Sequence, residues 1–565
     1  MNKKNKSRIV CAALAAVTAL SGITGYAKDF FAGEYSEEYR NGGYDAGYDP
    51  NYDCNAIDDR EVRVMIDENF TYMSKSNVWF DDNNVPSGWD VRTIGGKLGE
   101  TYYFSDWQLK DESDRFPIEA TRKFERLDHG YGILEFSFSM PEVMNDVRWE
   151  IYRDRVAAFG VETKDGKLYA KRSGGQLQLL CELAPDTTYG VKMDFDIDSK
   201  TVKNVYVNGA KKAENIPFLN NVAYIDNFNI NTGDKTVGTL HMHTVQLYRG
   251  YTVYERFLTS GTGFPDEYAV TKTGNADARI VSSDSCTWPD YWHMLLDGGN
   301  GDVKLRKSFD AAGGEQTFEF SMLLPEKNDG AAAYLMSGEN RIAAVTVENG
   351  KFCFNGQPFY ENYFNNVWYK FKLELDLNSG TADVYLNCKK KLTAVPINTG
   401  TVNALEIGKT GGGTVGFDTL KLYEREPEPE DYCPEPEAAL NPDYVFGMQF
   451  CPMWKNGSHV GWDSIATDKD RLPYIGYYDE GSPEAADWII KQLVEHGFSF
   501  QKVMWCNGAN TSEPPQTAFL GGVYLDGFMQ AKYSDMMKFM VCWENQAMGS
   551  SAEHLLNRVG PYWIE

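Results

Sequence analysis

The sequence predicts a mostly β chain: two tandem two-sheet sandwiches followed by an α/β segment. Three observations carry that expectation. Aromatic residues reach 14% and glycines number 52 in 565 residues, a balance that favours strands and turns over helical bundles. A strand-rich pattern recurs at an offset of about 184 residues. The last 124 residues then exchange period-2 alternation for a strand–helix–strand rhythm. A chain of this length has room for three or four domains.

Residues 1–27 read as a signal peptide. Lys3, Lys4, Lys6 and Arg8 precede an apolar run from Ile9 to Leu20, and Gly25-Tyr26-Ala27 offers the small residues a signal peptidase reads. Cys11 sits inside the apolar run, so a lipid anchor is not expected. Removing this segment moves the formal charge from −26 to about −30. So acidic a chain excludes nucleic acid and anionic membrane surfaces, which both need clustered Lys and Arg. No apolar run is long enough to span a bilayer. Nine cysteines remain after cleavage, with no Cys-x-x-Cys. An exported chain can form disulfides, but the odd number leaves at least one free thiol. No cofactor or metal is implied; structural Ca²⁺ in the sandwiches is compatible with the sequence but not readable from it.

Residues 28–64 are rich in Gly, Tyr, Asp and Asn without periodicity, and read as an irregular leader. The repeat follows, over 65–250 and 251–424. Leu134-Glu-Phe-Ser-Phe-Ser-Met-Pro141 matches Phe318-Glu-Phe-Ser-Met-Leu-Leu-Pro325. Asp165-Gly166 and Asn349-Gly350 stand at equivalent places and read as type I′ hairpin turns. Tyr189 to Asp198 and Tyr369 to Asn378 alternate apolar and polar residues, as half-buried strands do. A period this long means tandem domains rather than a solenoid. Glu424 to Glu437 reads EREPEPEDYCPEPE, whose alternating Pro and acid predict an extended, self-repelling linker over 425–441.

Within 442–565, Tyr444 to Phe450 reads as a strand. Ser482 and Pro483 open a helix that Gly497 ends, and Phe498 to Trp505 and Met537 to Trp543 read as further strands. This is a βαβ unit of an α/β protein.

Two resemblances sharpen the picture. The order FEFSMLLP, hairpin, FKLELDLNSGTADVYLN, GFDTLKLY resembles the concanavalin A-like (laminin G-like) jelly-roll sandwich, present twice. RLPYIGYYDEGSPEAADWIIKQLVEHGFSFQKVMWC, then MMKFMVCWEN and PYWIE, resembles a glycoside hydrolase family 99-like (WbsX-type) domain, a (β/α)₈ TIM barrel. That likeness implies an endo-α-mannosidase-like hydrolase. A full barrel needs about 250 residues, so the segment is expected to be the N-terminal part of a truncated, inactive barrel lacking its catalytic carboxylate pair.

Candidate site residues follow. The ends of barrel strands bear the chemistry, which points to Trp454, Trp505 and Trp543 for stacking on sugar faces, with Glu544 and Asn545 binding hydroxyls. Tyr477 and Asp479, in the run before the helix, join the substrate-binding set, Asp479 with helix capping as its alternative role. No catalytic residue is assigned. In the sandwiches, Trp107, Trp149, Trp288 and Trp292 are core residues or sugar platforms. Asp194 and Asp196 read as a solvent face, and His241 with His243 as a pair on one strand face without an evident third ligand. The expected function is a secreted carbohydrate-active protein whose partner is an extracellular polysaccharide or glycan. The alternative is a non-catalytic carbohydrate-binding or adhesion protein. More distant is a hydrolase or lyase active within one sandwich.

Overall fold

The computed structural model describes residues 63–70, 85–98, 106–233, 237–257, 264–282, 292–425, 432–439, 444–452, 478–505 and 522–543, with short breaks inside several ranges. The signal peptide and nearly all of the leader lie outside them.

Strict alternation along the strands gives each sheet one apolar face, and two such faces close a sandwich. In the first sandwich, the front sheet runs Ala210–Pro217, Thr201–Val207, Tyr189–Asp196, Tyr131–Ser139, Gly238–Arg249, Trp107–Asp111, Gly96–Leu98, and Val64–Asn69 also pairs with Gly238–Arg249. Its back sheet runs Gln176–Glu182, Lys167–Arg172, Val156–Lys164, Arg148–Arg153, Ile225–Asn231, Glu119–Leu127, Trp89–Arg92. The second sandwich repeats both orders position for position. Its front sheet is Lys389–Pro396, Thr381–Leu386, Trp368–Asp376, Glu315–Leu323, Thr414–Glu424, Trp292–Asp297, Asp277–Ser282, with Tyr251–Glu255 on Thr414–Glu424. Its back sheet is Gln357–Tyr360, Lys351–Phe354, Asn340–Glu348, Ala331–Ser337, Val402–Thr410, Asp302–Ala312, Tyr268–Lys272. Every pair is antiparallel, so the mostly β, two-sandwich expectation holds. Asp165-Gly166 and Asn349-Gly350 all have positive φ, as a type I′ turn requires.

The cores are aromatic. Phe136, Phe138, Trp149 and Phe228 stack in the first, and Phe320, Phe352, Phe371 and Phe417 in the second. Trp107 and Trp149 are completely buried, which removes them as sugar platforms. Trp288 lies outside the described residues, as does the side chain of Trp292.

The two sandwiches meet through charge. Lys192, on the outer face of the first front sheet, lies 3.9 Å from Glu135, 3.8 Å from Glu255 and 2.9 Å from Glu267. Lys307 of the second sandwich lies 3.0 Å from Glu267 and 3.6 Å from Glu255. All five side chains are at most 10% exposed. Asp194 borders the cluster and accepts from Asn204 at 3.2 Å, and burial raises its pKa. Asp196 is buried and caps the next turn through Ser199. Neither is the solvent face the alternation suggested: Glu267 and Lys307 of the second sandwich act on Asp194, and Ser199 and Lys203 of its own sandwich engage Asp196. Arg63 reinforces the junction, donating to Gly250 O at 2.6 Å and Glu424 O at 2.9 Å.

The C-terminal segment is a separate parallel sheet, Phe446–Phe450, Phe498–Trp505, Lys538–Trp543, with the long strand central. Helix α1, Pro483–Glu495, has Ser482 as its N-cap, accepting from Ala485 N at 3.3 Å, and Gly497 at φ 81° just past its end. A second helix, α2 (Gly522–Gln530), was not expected. Residues 432–439 have no regular structure, yet they are no free spacer. Trp488 donates to Tyr432 O at 2.9 Å, Ala439 N donates to Val494 O at 3.1 Å, and Tyr432 hydroxyl bonds buried Asp487. Met537, Phe539 and Val541 pack on the helices, whereas Met540 on the opposite face is 47% exposed.

Burial pushes Glu135 up to about 7, Glu255 and Glu267 adding to it against the pull of Lys192. An unfolded chain releases this proton near the ordinary 4.5, so the folded state holds more protons between those values. The stability Glu135 contributes is therefore full below pH 4.5 and lost as pH rises through 7. Urea midpoints measured from pH 4.5 to 8 should fall for the parent relative to Glu135→Gln, which lacks this titrating group. Parallel curves would reject the assignment. Lys192→Met, which leaves the carboxylates undercompensated, should cost about 3–5 kcal/mol at neutral pH.

Candidate functional site

The back sheet of the first sandwich presents an outer face that no described segment covers with apolar side chains. Its residues follow from register. One row across the strands is Thr121, Asn229, Glu150 and Gly160; the next is Glu119, Asn231, Arg148, Glu162 and Tyr169. Each alternates along its strand with core residues such as Ala120, Ile230, Trp149 and Val161. Strands thus hold a block of amide, carboxylate, guanidinium and phenol groups on a rigid frame.

Internal hydrogen bonds fix the block. Glu150 accepts from Tyr152 hydroxyl and from Lys171 Nζ, both at 2.6 Å, and Lys171 lies 3.4 Å from Glu162. Gly160 makes room for this: a Cβ there would stand 2.8 Å from Glu150 Cγ. Asn229 donates to Thr121 Oγ1 at 2.8 Å. Asn231 donates to Glu119 at 3.1 Å and accepts from Arg148 at 3.3 Å. Burial and the Glu150 charge hold the Tyr152 phenol well above its ordinary pKa, so it stays a donor. The face can exchange several directional hydrogen bonds with a polyhydroxylated ligand without reorganising.

The second sandwich does not repeat it. By register, Ala332, Gly408, Tyr334, Ala344 and Thr346 stand where the first has Arg148, Asn231, Glu150, Gly160 and Glu162. The sequence reading missed the face because alternating polar residues look like any solvated strand.

The residues singled out from sequence lie elsewhere. Trp505 ends its strand inside the C-terminal core with no exposed surface. Trp543 ends the neighbouring parallel strand, opposite Trp505; its side chain is outside the described residues, as are Trp454, Tyr477, Asp479, Glu544 and Asn545. His241 and His243 do have a third partner, Asp106. Its carboxylate lies 3.6 Å from His241 Nδ1 and 2.7 Å from His243 Nδ1. Burial would raise the Asp106 pKa, but hydrogen bonds from both rings hold it well below the carboxylate range. Among the described residues no group of three or more His, Cys, Asp or Glu is arranged to hold a metal ion, and no helix is long and apolar enough to cross a membrane.

No family model matches this chain, and no curated protein matches it. Solved structures with some likeness include a sialidase, at 8% identity and TM-score 0.27, covering 49% of this chain and 32% of the sialidase. Others are the carbohydrate-binding module CBM66 from Bacillus subtilis (16%, TM-score 0.21, 28% and 96%) and the N-terminal CBM22 tandem domain of Paenibacillus barcinonensis Xyn10C (8%, TM-score 0.19, 65% and 100%). The chain spans about a third of the sialidase it matches. At these scores nothing about ligand or activity follows.

Glu150 fastens the back-sheet face, so Glu150→Ala should leave Tyr152 and Lys171 without their acceptor and cost about 1–3 kcal/mol. Urea unfolding measures this. A change below a few tenths of a kcal/mol would mean that the network does not organise the face.

Proposed function

We propose that this chain is a secreted, modular glycan-binding protein whose first sandwich contacts sugar through the back-sheet face around Arg148, Asn229 and Glu162. One observation carries the reading: planar amide, carboxylate and guanidinium groups are held in two adjacent rows by their own hydrogen bonds, with Tyr169 alongside. Such groups match vicinal hydroxyls in pairs, and a preordered face avoids much of the entropy cost of binding. Export by the N-terminal segment would bring it to extracellular polysaccharide. Its acidic character suits neutral or amide-bearing sugars better than polyanions.

A second reading has its own support. The βαβαβ order of 446–543 is that of a (β/α) barrel segment, which fits a glycoside hydrolase family 99-like domain. In it Trp454, Tyr477, Asp479, Trp543, Glu544 and Asn545 would line the strand ends, and the sandwiches would deliver the glycan. Because the catalytic carboxylates expected of such a barrel are not recognisable in the sequence, α-mannan turnover by this chain is expected to be nil.

Affinity electrophoresis of the full chain against a polysaccharide panel tests the first reading. At least one polysaccharide should retard it, and Arg148→Ala combined with Asn229→Ala should weaken retardation at least tenfold while circular dichroism still shows the parent's fold. Equal retardation of parent and variant would move the site off this face. No retardation by any polysaccharide would reject glycan binding.

A further inference from the structure

At the other end of the front sheet of the first sandwich, away from the charged junction, stands a hydrogen-bonded line of three side chains. Asp106 Oδ1 lies 2.7 Å from His243 Nδ1, and His243 Nε2 lies 3.0 Å from Ser139 Oγ. The imidazole thus bridges a carboxylate and a hydroxyl through its two different nitrogens. That is the geometry in which a base removes a hydroxyl proton while a carboxylate fixes its tautomer.

The placement is rigid and unusual for a plain strand. Ser139 ends Tyr131–Ser139, His243 lies in the neighbouring Gly238–Arg249, and Asp106 immediately precedes the next strand, Trp107–Asp111. The ladder slips between Met242 and Thr244, a bulge centred on His243, and its carbonyl is anchored by Phe70 N at 2.8 Å. Bulges re-aim side chains in this way. His241 sits directly across from Ser139 in the register, with its Nδ1 3.6 Å from the other Asp106 oxygen. Ser139 and both histidines are partly exposed, and Asp106 is mostly enclosed.

We propose that Ser139, His243 and Asp106 are the nucleophile, general base and orienting carboxylate of an acyl-ester hydrolase, with His241 donating to the developing oxyanion. Ser139 Oγ bonds to the ester carbonyl carbon while its proton passes to His243 Nε2. The tetrahedral adduct collapses, the bond from carbonyl carbon to alkoxy oxygen breaks, and the alcohol leaves with the proton from His243. Water then attacks the acyl-serine with the same base, releasing the carboxylic acid and restoring Ser139. The surrounding face is polar: Ser137 and Thr244 bond each other at 2.7 Å, and Gln108 stands across from His241. A polar face of this kind suits a short acyl group. Identification of the alcohol as a sugar hydroxyl rests on the glycan-binding reading; the triad does not.

The test uses the full chain. A fluorophosphonate should add to Ser139, located by peptide mass, and p-nitrophenyl acetate should be hydrolysed. Ser139→Ala and His243→Ala should each lower kcat about 10³-fold or more, and Asp106→Asn should do so with an altered pH–rate profile. His241→Ala should lower kcat about 10²-fold while labelling of Ser139 persists. Circular dichroism and melting temperature should match the parent for Ser139→Ala. No adduct at Ser139 in the parent, or equal ester hydrolysis by parent and Ser139→Ala, would overturn the triad. Acetate release from an acetylated polysaccharide extends the substrate to glycan esters; hydrolysis of p-nitrophenyl acetate alone would keep the triad and reject the sugar alcohol.

Discussion

Two lysines, Lys192 and Lys307, hold Glu135, Glu255 and Glu267 between the sandwiches, out of water, with Asp194 alongside. Buried charges of this kind seldom add much net stability over an apolar interface, but they penalise every arrangement that breaks the pairing. The junction therefore acts on geometry. It commits part of the outer face of the first front sheet to its neighbour. Among the described residues of the first sandwich, the Asp106–His243–Ser139 end of that sheet and the back sheet lie outside this junction. The two functional proposals occupy those places because the junction occupies the third.

The two sandwiches share one strand order, and their outer faces differ. Strand order, hairpin turns and aromatic cores agree between the copies, since each is dictated by alternation and by residues that tolerate positive φ. The outward positions have no such constraint. Where the first back sheet has Arg148, Glu150 and Asn231, the second has Ala332, Tyr334 and Gly408. Packing cannot explain that difference, because these side chains point away from the core.

Much of this was legible beforehand, and the failures have physical causes. Period-2 runs such as Trp368 to Asp376 announce their inward face, and the Ser482-Pro483 start with Gly497 beyond the end of α1 marks both of its limits. Helix α2 escaped notice because it contains Gly527, ordinarily a helix weakener. Here a Cβ at 527 would stand 2.7 Å from Gly481 O, so the glycine permits a close approach of helix and turn. The acidic Pro-rich run was read from its own repulsion, whereas Tyr432 and Asp487 tie it to α1. The third partner of His241 and His243 could not be read because Asp106 immediately precedes another strand, Trp107–Asp111, distant in sequence and brought close only through register. Alternation says which face a residue takes. It does not say what will cover that face.

The same limit explains the most instructive pair in the molecule. Glu135 pairs across the ladder with Lys192, and Lys192 with Tyr206; in the second copy Glu319 pairs with Lys372, and Lys372 with Tyr385. Sequence and position are equivalent, yet the two glutamates titrate in opposite directions. Burial raises Glu135, whose other neighbours are mostly acids. Burial acts on Glu319 too, but Lys370, Lys421 and Lys372 outweigh it and hold the carboxyl well below its ordinary range. Part of the cause lies in the ladder itself, where Lys421 stands across from Glu319 and the neutral Gln246 across from Glu135, and part in the segment that follows each sandwich. The first front sheet receives Glu255 and Glu267, adding acid to acid. The second receives Arg425 near Glu374 and the neutral Gln530, which accepts from Lys372 at 2.7 Å. The same Glu–Lys–Tyr row thus holds a glutamate whose proton is retained in one copy and a glutamate kept ionised in the other. The stability due to Glu319 is accordingly present above about pH 4.5 and lost only in acid, whereas that due to Glu135 is lost toward neutrality.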